Sequence, residues 1–359
     1  MRVRARAGSR GRLAALIPAF FPTFCTAAIA ADTVAAAPLQ DALHAYGIQA
    51  WHIGRLWNFT LTLCALVFGA IVVACLFALW RAPRADAGTP PDLSSLARPE
   101  RRLHRSIGWA VAAATLGLLA LLAADVFTSR ALGRLPLQDA VNIELTGHQF
   151  WWEARYLDPE ASRQFTTANE LHIPVGRPVI VTLKSDDVIH TLWIPNLHGK
   201  RDMIPGRTAT LQLRADQPGT YRGQCAEFCG LEHAMMALLV HAEPDAQYEA
   251  WAERQRRPAP EPSGVAADAA RRGRALFLAN ACARCHTVNG TGATAARGPD
   301  LTHLGDRRAI AAGMLPNDRA HLARWIQDPQ ALKPGVYMPA TRLRPAELQD
   351  LIAYLETLK

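Results

Sequence analysis

Three kinds of hydrophobic patterning follow one another along the 359-residue chain. The first is continuous. No charge interrupts the 25 positions of residues 56–80, and Asp125 is the only charge in residues 107–127. Each run is long enough for a helix to cross a hydrocarbon core of about 30 Å. The second is alternating: short bursts at 141–145, 170–174, 178–183, 208–213 and 237–241 are separated by turn formers such as Val175-Gly176-Arg177-Pro178 and Ile204-Pro205-Gly206. They predict a compact all-β sandwich or barrel over residues 134–250. The third is helical. Residues 267–279 and 321–327 carry helix signals, and Leu348, Leu351, Ile352, Leu355 and Leu358 repeat at i, i+3, i+4 spacing after Pro345, which suits a first helical turn. The expected fold is a multidomain membrane protein: a two-helix transmembrane hairpin (31–133), an all-β domain (134–250), a linker (251–264) that is Pro-rich, extended and semi-rigid from 255 on, and a small all-α domain (265–359).

Charge refines this picture. Arg2, Arg4, Arg6, Arg10 and Arg12 precede an apolar stretch that ends in Ala28-Ile29-Ala30, the layout of a secretory signal peptide cleaved near residue 30. Arg81, Arg84, Arg98, Arg101, Arg102 and Arg105 crowd the loop between the two spans. An arginine-rich short loop belongs in the cytoplasm, which puts both termini and the soluble domains on the periplasmic side of a bacterial inner membrane. Trp57, Trp80 and Trp109 fall where an interfacial aromatic belt would lie. The formal net charge of +8 is therefore a topology signal, and no nucleic-acid partner is expected. Residues 134–250 carry ten basic against fifteen acidic side chains, and residues 264–359 thirteen against eight. Opposite net charges of that size suggest that the two soluble domains attract each other and that their docking weakens with salt.

The seven cysteines do not read as a disulfide set. Cys225-Ala-Glu-Phe-Cys229-Gly-Leu-Glu-His233-Ala-Met-Met236 packs two thiols, an imidazole and a thioether into twelve residues, and His190 lies upstream in Asp187-Val-Ile-His190. Two Cys and two His could hold a tetrahedral zinc, but Met236 favours copper, because zinc rarely recruits a thioether. Two cysteines four apart can bridge a copper pair. Met235 reads as packing, and His148, His172, His198 and His241 as surface or core residues rather than ligands. Further on, Cys282-Ala-Arg-Cys285-His286 is the attachment signature of a c-type haem, with His286 as one axial ligand. Met338, followed by Pro339, is the candidate for the second; Met314 competes but has no proline after it.

Residues 134–245 resemble the CuA domain of haem-copper oxidase subunit II, supported by Asp202-Met-Ile-Pro-Gly-Arg207, Tyr221-Arg-Gly-Gln-Cys225 and Gly147-His-Gln-Phe-Trp-Trp152, and with the two preceding spans as that family's hairpin the resemblance covers residues 31–245. Residues 265–359 resemble a small class I cytochrome c, with Gly298-Pro-Asp-Leu301 as a further match. The resemblance implies a cupredoxin-like sandwich in which Cys225 and Cys229 bridge both coppers. His190 and Met236 would complete one ion, His233 and the Glu227 carbonyl the other, and the Glu227 side chain would reach a magnesium ion at the interface with subunit I. Phe150 stands where the family commonly has a tryptophan that admits electrons. Together the parts look like subunit II of a caa-type cytochrome c oxidase. Such a subunit relays electrons from cytochrome c or a quinol-cytochrome c reductase to subunit I, which reduces oxygen and pumps protons. The alternatives are the CuA subunit of a nitric oxide reductase and a copper-binding assembly protein.

Overall fold

The computed structural model describes residues 40–82, 88, 90, 100–264 and 267–359. The expected signal peptide and most of the arginine-rich loop lie outside these residues. Helices α1 (Ile48–Arg81) and α2 (Arg101–Leu132) contain the two apolar runs and extend beyond both. Both are long and apolar enough to cross a membrane, and their large side chains, Trp80 and Trp109 among them, are exposed along most of their length. The early start of α1 has a local cause, since its first turns are docked on the β domain. Ala50 donates to the Leu197 carbonyl at 3.1 Å, and Gln49 accepts from the Arg214 amide at 3.3 Å. A side chain at Gly47 would collide with the Arg214 carbonyl.

Ten strands form the β domain: β1 (Val141–His148), β2 (Trp151–Leu157), β3 (Phe165–Ala168), β4 (Glu170–Pro174), β5 (Val179–Ser185), β6 (His190–Trp193), β7 (Arg201–Met203), β8 (Ala209–Leu213), β9 (Gly219–Cys225) and β10 (Ala237–Glu243). They make two five-stranded sheets ordered β3-β2-β1-β5-β8 and β4-β10-β9-β6-β7. Parallel pairing of β1 with β5 and of β10 with β4 gives a cupredoxin-like sandwich. Alternation works as expected: Val141, Ile143 and Leu145 of β1, Leu171 and Ile173 of β4, and Leu238, Val240 and Ala242 of β10 all face the shared core. Helix α3 (Asp245–Gln255), not anticipated, closes the domain by burying Tyr248 and Trp251.

The C-terminal domain comprises α4 (Ala267–Ala279), a short hairpin of β11 (Ala309–Ile310) and β12 (Leu315–Pro316), α5 (Arg319–Gln327), α6 (Pro329–Leu332) and α7 (Pro345–Leu355). Asp318 caps α5 by accepting from the His321 amide at 2.9 Å. All five leucine and isoleucine positions of the C-terminal repeat are buried, and Tyr354 meets Phe277 edge-on with ring centroids 5.8 Å apart. Helices α4 and α7 cross at Gly273, where a Cβ would lie 2.0 Å from the Asp350 carbonyl oxygen.

The segment expected to be an extended, semi-rigid linker is held to the C-terminal domain. Ala259 donates to the Asn289 carbonyl at 2.9 Å and packs against that domain's core. The two soluble domains also touch directly, through few exposed charge pairs. Glu170 accepts from the Arg308 and Ala309 amides at 2.9 and 2.8 Å, Ala237 donates to the Ala312 carbonyl at 3.1 Å, and buried Lys333 donates to the Phe150 carbonyl at 3.0 Å. Docking thus relies on burial and backbone hydrogen bonds more than on the opposed net charges.

Candidate metal and haem centres

Two neighbouring strands and one loop build the first centre. His190 begins β6, Cys225 ends β9, and the two strands pair so that Leu192 sits opposite Cys225. The loop 226–236 is closed by the Cys225 amide donating to the Met236 carbonyl at 3.0 Å. The sulfur atoms of Cys225 and Cys229 are 3.8 Å apart. Around Cys225 lie His190 Nδ1 at 3.7 Å and the Glu227 carbonyl oxygen at 3.2 Å; around Cys229 lie His233 Nδ1 at 3.7 Å and Met236 Sδ at 3.9 Å. Both cysteines, His190 and Met236 are buried, and the Glu227 side chain is exposed. All the residues singled out from the motif are thus brought together, and two soft sulfurs flanked by imidazoles and a thioether are a donor set suited to copper.

Electrostatics prepare the same groups. The hydrogen bond between the two thiols, helped by His190 and opposed by burial, pulls the Cys225 thiol far down. The same hydrogen bond pushes the Cys229 thiol upward. Burial disfavours a charged His190, but Asp187 and the Cys225 thiolate outweigh it and lift the imidazole to about 9. Asp187 accepts from His190 Nε2 at 2.8 Å, which leaves Nδ1 turned toward the sulfurs. A carboxylate behind a ligating histidine fixes its tautomer and strengthens it as a ligand. Gly147 is required beside this ring, since a Cβ there would lie 2.8 Å from His190 Cδ2.

Three residues that sequence reasoning did not single out complete the surroundings. Gln149 donates to the Cys229 carbonyl at 2.6 Å, Tyr337 donates to the Gln149 side chain at 2.9 Å, and Lys333 reaches the Phe150 carbonyl. Asp187 was visible three residues before His190. The others were not, because their partners lie 80 to 188 residues away.

The second centre is assembled by a 3-10 turn over 281–284, with the His286 amide donating to the Cys282 carbonyl at 2.9 Å. His286 Nδ1 is 2.7 Å from the Pro299 carbonyl oxygen, so it carries the proton and leaves Nε2 free as a ligand. A carbonyl that holds the proton on one ring nitrogen orients the other toward a metal. Burial lowers the His286 imidazole and raises the Cys282 thiol. A Cβ at Gly298 would lie 2.7 Å from the His286 ring, so only glycine fits there. Met338 is half-buried on the irregular segment after α6, where its carbonyl accepts from Gln330 at 3.3 Å. Met314 lies in the β11–β12 turn with its amide bonded to Ile310.

Residues 138–243 match the family described as cytochrome C oxidase subunit II, periplasmic domain, and residues 270–359 match cytochrome c. The cytochrome c oxidase subunit 2 of Alkalihalophilus pseudofirmus is 42% identical over 222 residues, covering 62% of this chain and 62% of that protein. The cytochrome c oxidase subunit 2 of Bacillus sp. strain PS3 is 32% identical over 233 residues, covering 62% of this chain and 63% of that protein. The aligned part of this chain therefore spans less than two thirds of the length of these relatives. Among solved structures, the periplasmic domain of subunit II of cytochrome oxidase of Bradyrhizobium japonicum is 29% identical, with 33% of this chain and 96% of that chain covered and a TM-score of 0.31.

Proposed function

We propose that this chain, which joins a cytochrome c oxidase subunit II periplasmic domain to a cytochrome c domain, is the electron-transfer subunit II of a haem-copper terminal oxidase. A dinuclear copper centre and a covalent haem c, when bound, supply one-electron carriers with no oxygen chemistry of their own. Cys225 and Cys229, together with His190, Met236, His233 and the Glu227 carbonyl, would hold the copper pair. Cys282 and Cys285 would anchor the haem through thioether bonds, and His286 and Met338 would be the residues that hold its iron. The exposed Glu227 carboxylate is available for a magnesium ion shared with subunit I, where oxygen reduction and proton translocation would take place.

The two apolar helices would cross the inner membrane with the arginine-rich loop in the cytoplasm, leaving both soluble domains periplasmic. Exposed Phe228 in the cysteine loop and exposed Ile189 next to His190 in sequence would meet the partner subunit, while cytochrome c or a quinol-cytochrome c reductase would deliver electrons to the C-terminal domain. The observation that carries this reading is the buried pair of thiols with two imidazoles, a thioether and a carbonyl arranged about it. Metal analysis and electron paramagnetic resonance of the purified chain test it. The expected result is a copper pair and one haem iron per chain, with a mixed-valence copper spectrum that Cys229→Ser abolishes, because a hydroxyl is a poor bridge for soft metals. A single zinc in place of copper at these cysteines would overturn the proposal.

A further inference from the structure

Among the described residues outside these two centres, one cluster of ligand-type side chains lies at the seam between the soluble domains. Strand alternation puts Glu170 and His172 of β4, and His241 and Glu243 of β10, on the face of the second sheet that points away from the core, and His172 and His241 are direct partners in the parallel register. Side chains at such positions ordinarily face water. Here the C-terminal domain and α3 cover them, leaving Glu170 4% and His241 1% exposed. A carboxylate oxygen of Glu170 and one ring nitrogen of each histidine lie within 4.8 Å of one another.

We propose that Glu170, His172 and His241 form a structural site for a zinc-class divalent cation that ties the cytochrome domain to the copper domain. Each ligand is already held by a second partner. Glu243 is 3.1 Å from His172 Nδ1, Thr220 is 3.0 Å from His241 Nδ1, and one Glu170 oxygen accepts the Arg308 and Ala309 amides. Carboxylate and hydroxyl partners behind histidines, and hydrogen bonds to the non-ligating oxygen of a carboxylate, are how metal sites orient their ligands. The atom left over is His241 Nε2, which has no hydrogen-bond partner although buried, and which lies 3.5 Å from the other Glu170 oxygen. A buried imidazole nitrogen without a partner is costly unless something occupies it.

Two imidazoles and one carboxylate suit zinc better than copper(I), calcium or magnesium. Zinc needs a fourth ligand, and a cavity of about 10 Å³ lined by Glu170, His172, His303 and Arg307 adjoins the cluster, roughly the space of one water molecule. The Arg307 guanidinium, which bonds to the Asp300 carbonyl and the Thr167 hydroxyl, keeps its charge and opposes a cation in that cavity, offset by the Glu170 and Asp300 carboxylates. Because one Glu170 oxygen carries two amides of the cytochrome domain, a cation on the other oxygen would fix the carboxylate from which that domain hangs.

The test uses the full-length chain in detergent, loaded with copper and haem, then incubated with zinc and washed. The expected result is one zinc retained per haem iron at unchanged copper content, together with an upward shift of the thermal unfolding midpoint. His241→Gln and His172→Gln should lose the retained zinc and the shift while keeping the copper and haem spectra, which separates this site from the cysteine site. Substitution by cobalt(II) should give tetrahedral visible bands in the wild type only. Failure of the wild-type chain to retain zinc beyond the amount that displaces copper would overturn the proposal, as would equal retention by both variants, and the cluster would then be a buried ion pair.

Discussion

Asp187 shows how much of the copper-type centre depends on a residue that is not a ligand. It accepts from His190 Nε2, and its other oxygen takes the Gln149 amide at 2.6 Å. Asp187→Ala should leave the sandwich folded yet weaken copper retention about 10- to 100-fold, the usual consequence of removing the partner of a ligating histidine, as measured by chelator competition. At the haem, Met338→Leu should lower the reduction potential and remove the sulfur-to-iron charge-transfer band, whereas Met314→Leu should do neither; the reverse outcome would reassign the ligand. Lys333 gives a pH-dependent readout. Burial drives its ammonium down to about 8 from the ordinary 10.5, against opposing help from Glu232 and Cys229. The folded pKa lies below the unfolded one, so the cost of the buried charge is in full force below pH 8. It is relieved as pH rises toward 10.5. The unfolding midpoint of the wild-type chain should therefore gain on that of Lys333→Gln between pH 8 and 10. The ligand-type residues were legible because thiols, imidazoles and thioethers at short spacing have few other uses. Lys333, Gln149 and Tyr337 act on partners far away in the chain, where spacing carries no information.

At the scale of elements, strands with clear alternation were readable from sequence, and β4 falls on the expected 170–174. Strands β6 and β7 have four and three residues, too few for a period to show. Strand β9 is diluted by Gly219 and Gly223, and the latter is needed because a Cβ there would lie 3.0 Å from Ile194. Helix α3 buries Tyr248, Trp251, Ala252 and Gln255 at i, i+3, i+4, i+7 spacing behind Pro244, a helical stripe made faint by one small and one polar member. Helix α4 was legible at both ends, but its crossing with α7 was not. Gly273→Ala places a methyl against the Asp350 backbone and should cost about 1–3 kcal/mol, typical of overpacking. Denaturant unfolding followed at the haem Soret band measures it; a change within error would mean that the helices separate freely.

For the whole molecule, the opposed net charges of the two domains pointed to docking that salt would loosen. The contacts seen are of another kind. Glu170 and Lys333 are withdrawn from solvent, Arg307 is half-buried, and Arg254 with Asp306, 3.9 Å apart, is a peripheral ion pair. Buried pairs are screened far less than exposed ones, so flash-induced haem-to-copper transfer should change little from low to high ionic strength. A steep fall with salt would restore the electrostatic picture.

Helix α1 passes without a break from its hydrogen bonds on Leu197 and Arg214 into the apolar run, and Ile53 still leans on Gly199. A helix gripped at one end and embedded at the other behaves like the shaft of a weathervane: its angular setting in the bilayer becomes the compass heading of everything mounted above. One alanine inserted after Leu56 would turn the periplasmic half by about 100° and raise it by about 1.5 Å, while seven would return it nearly to its heading about 10 Å higher. On the proposed function, co-purification with the other oxidase subunits should be lost in the first case for reasons of azimuth. If heading rather than height governs assembly, it should be partly regained in the second.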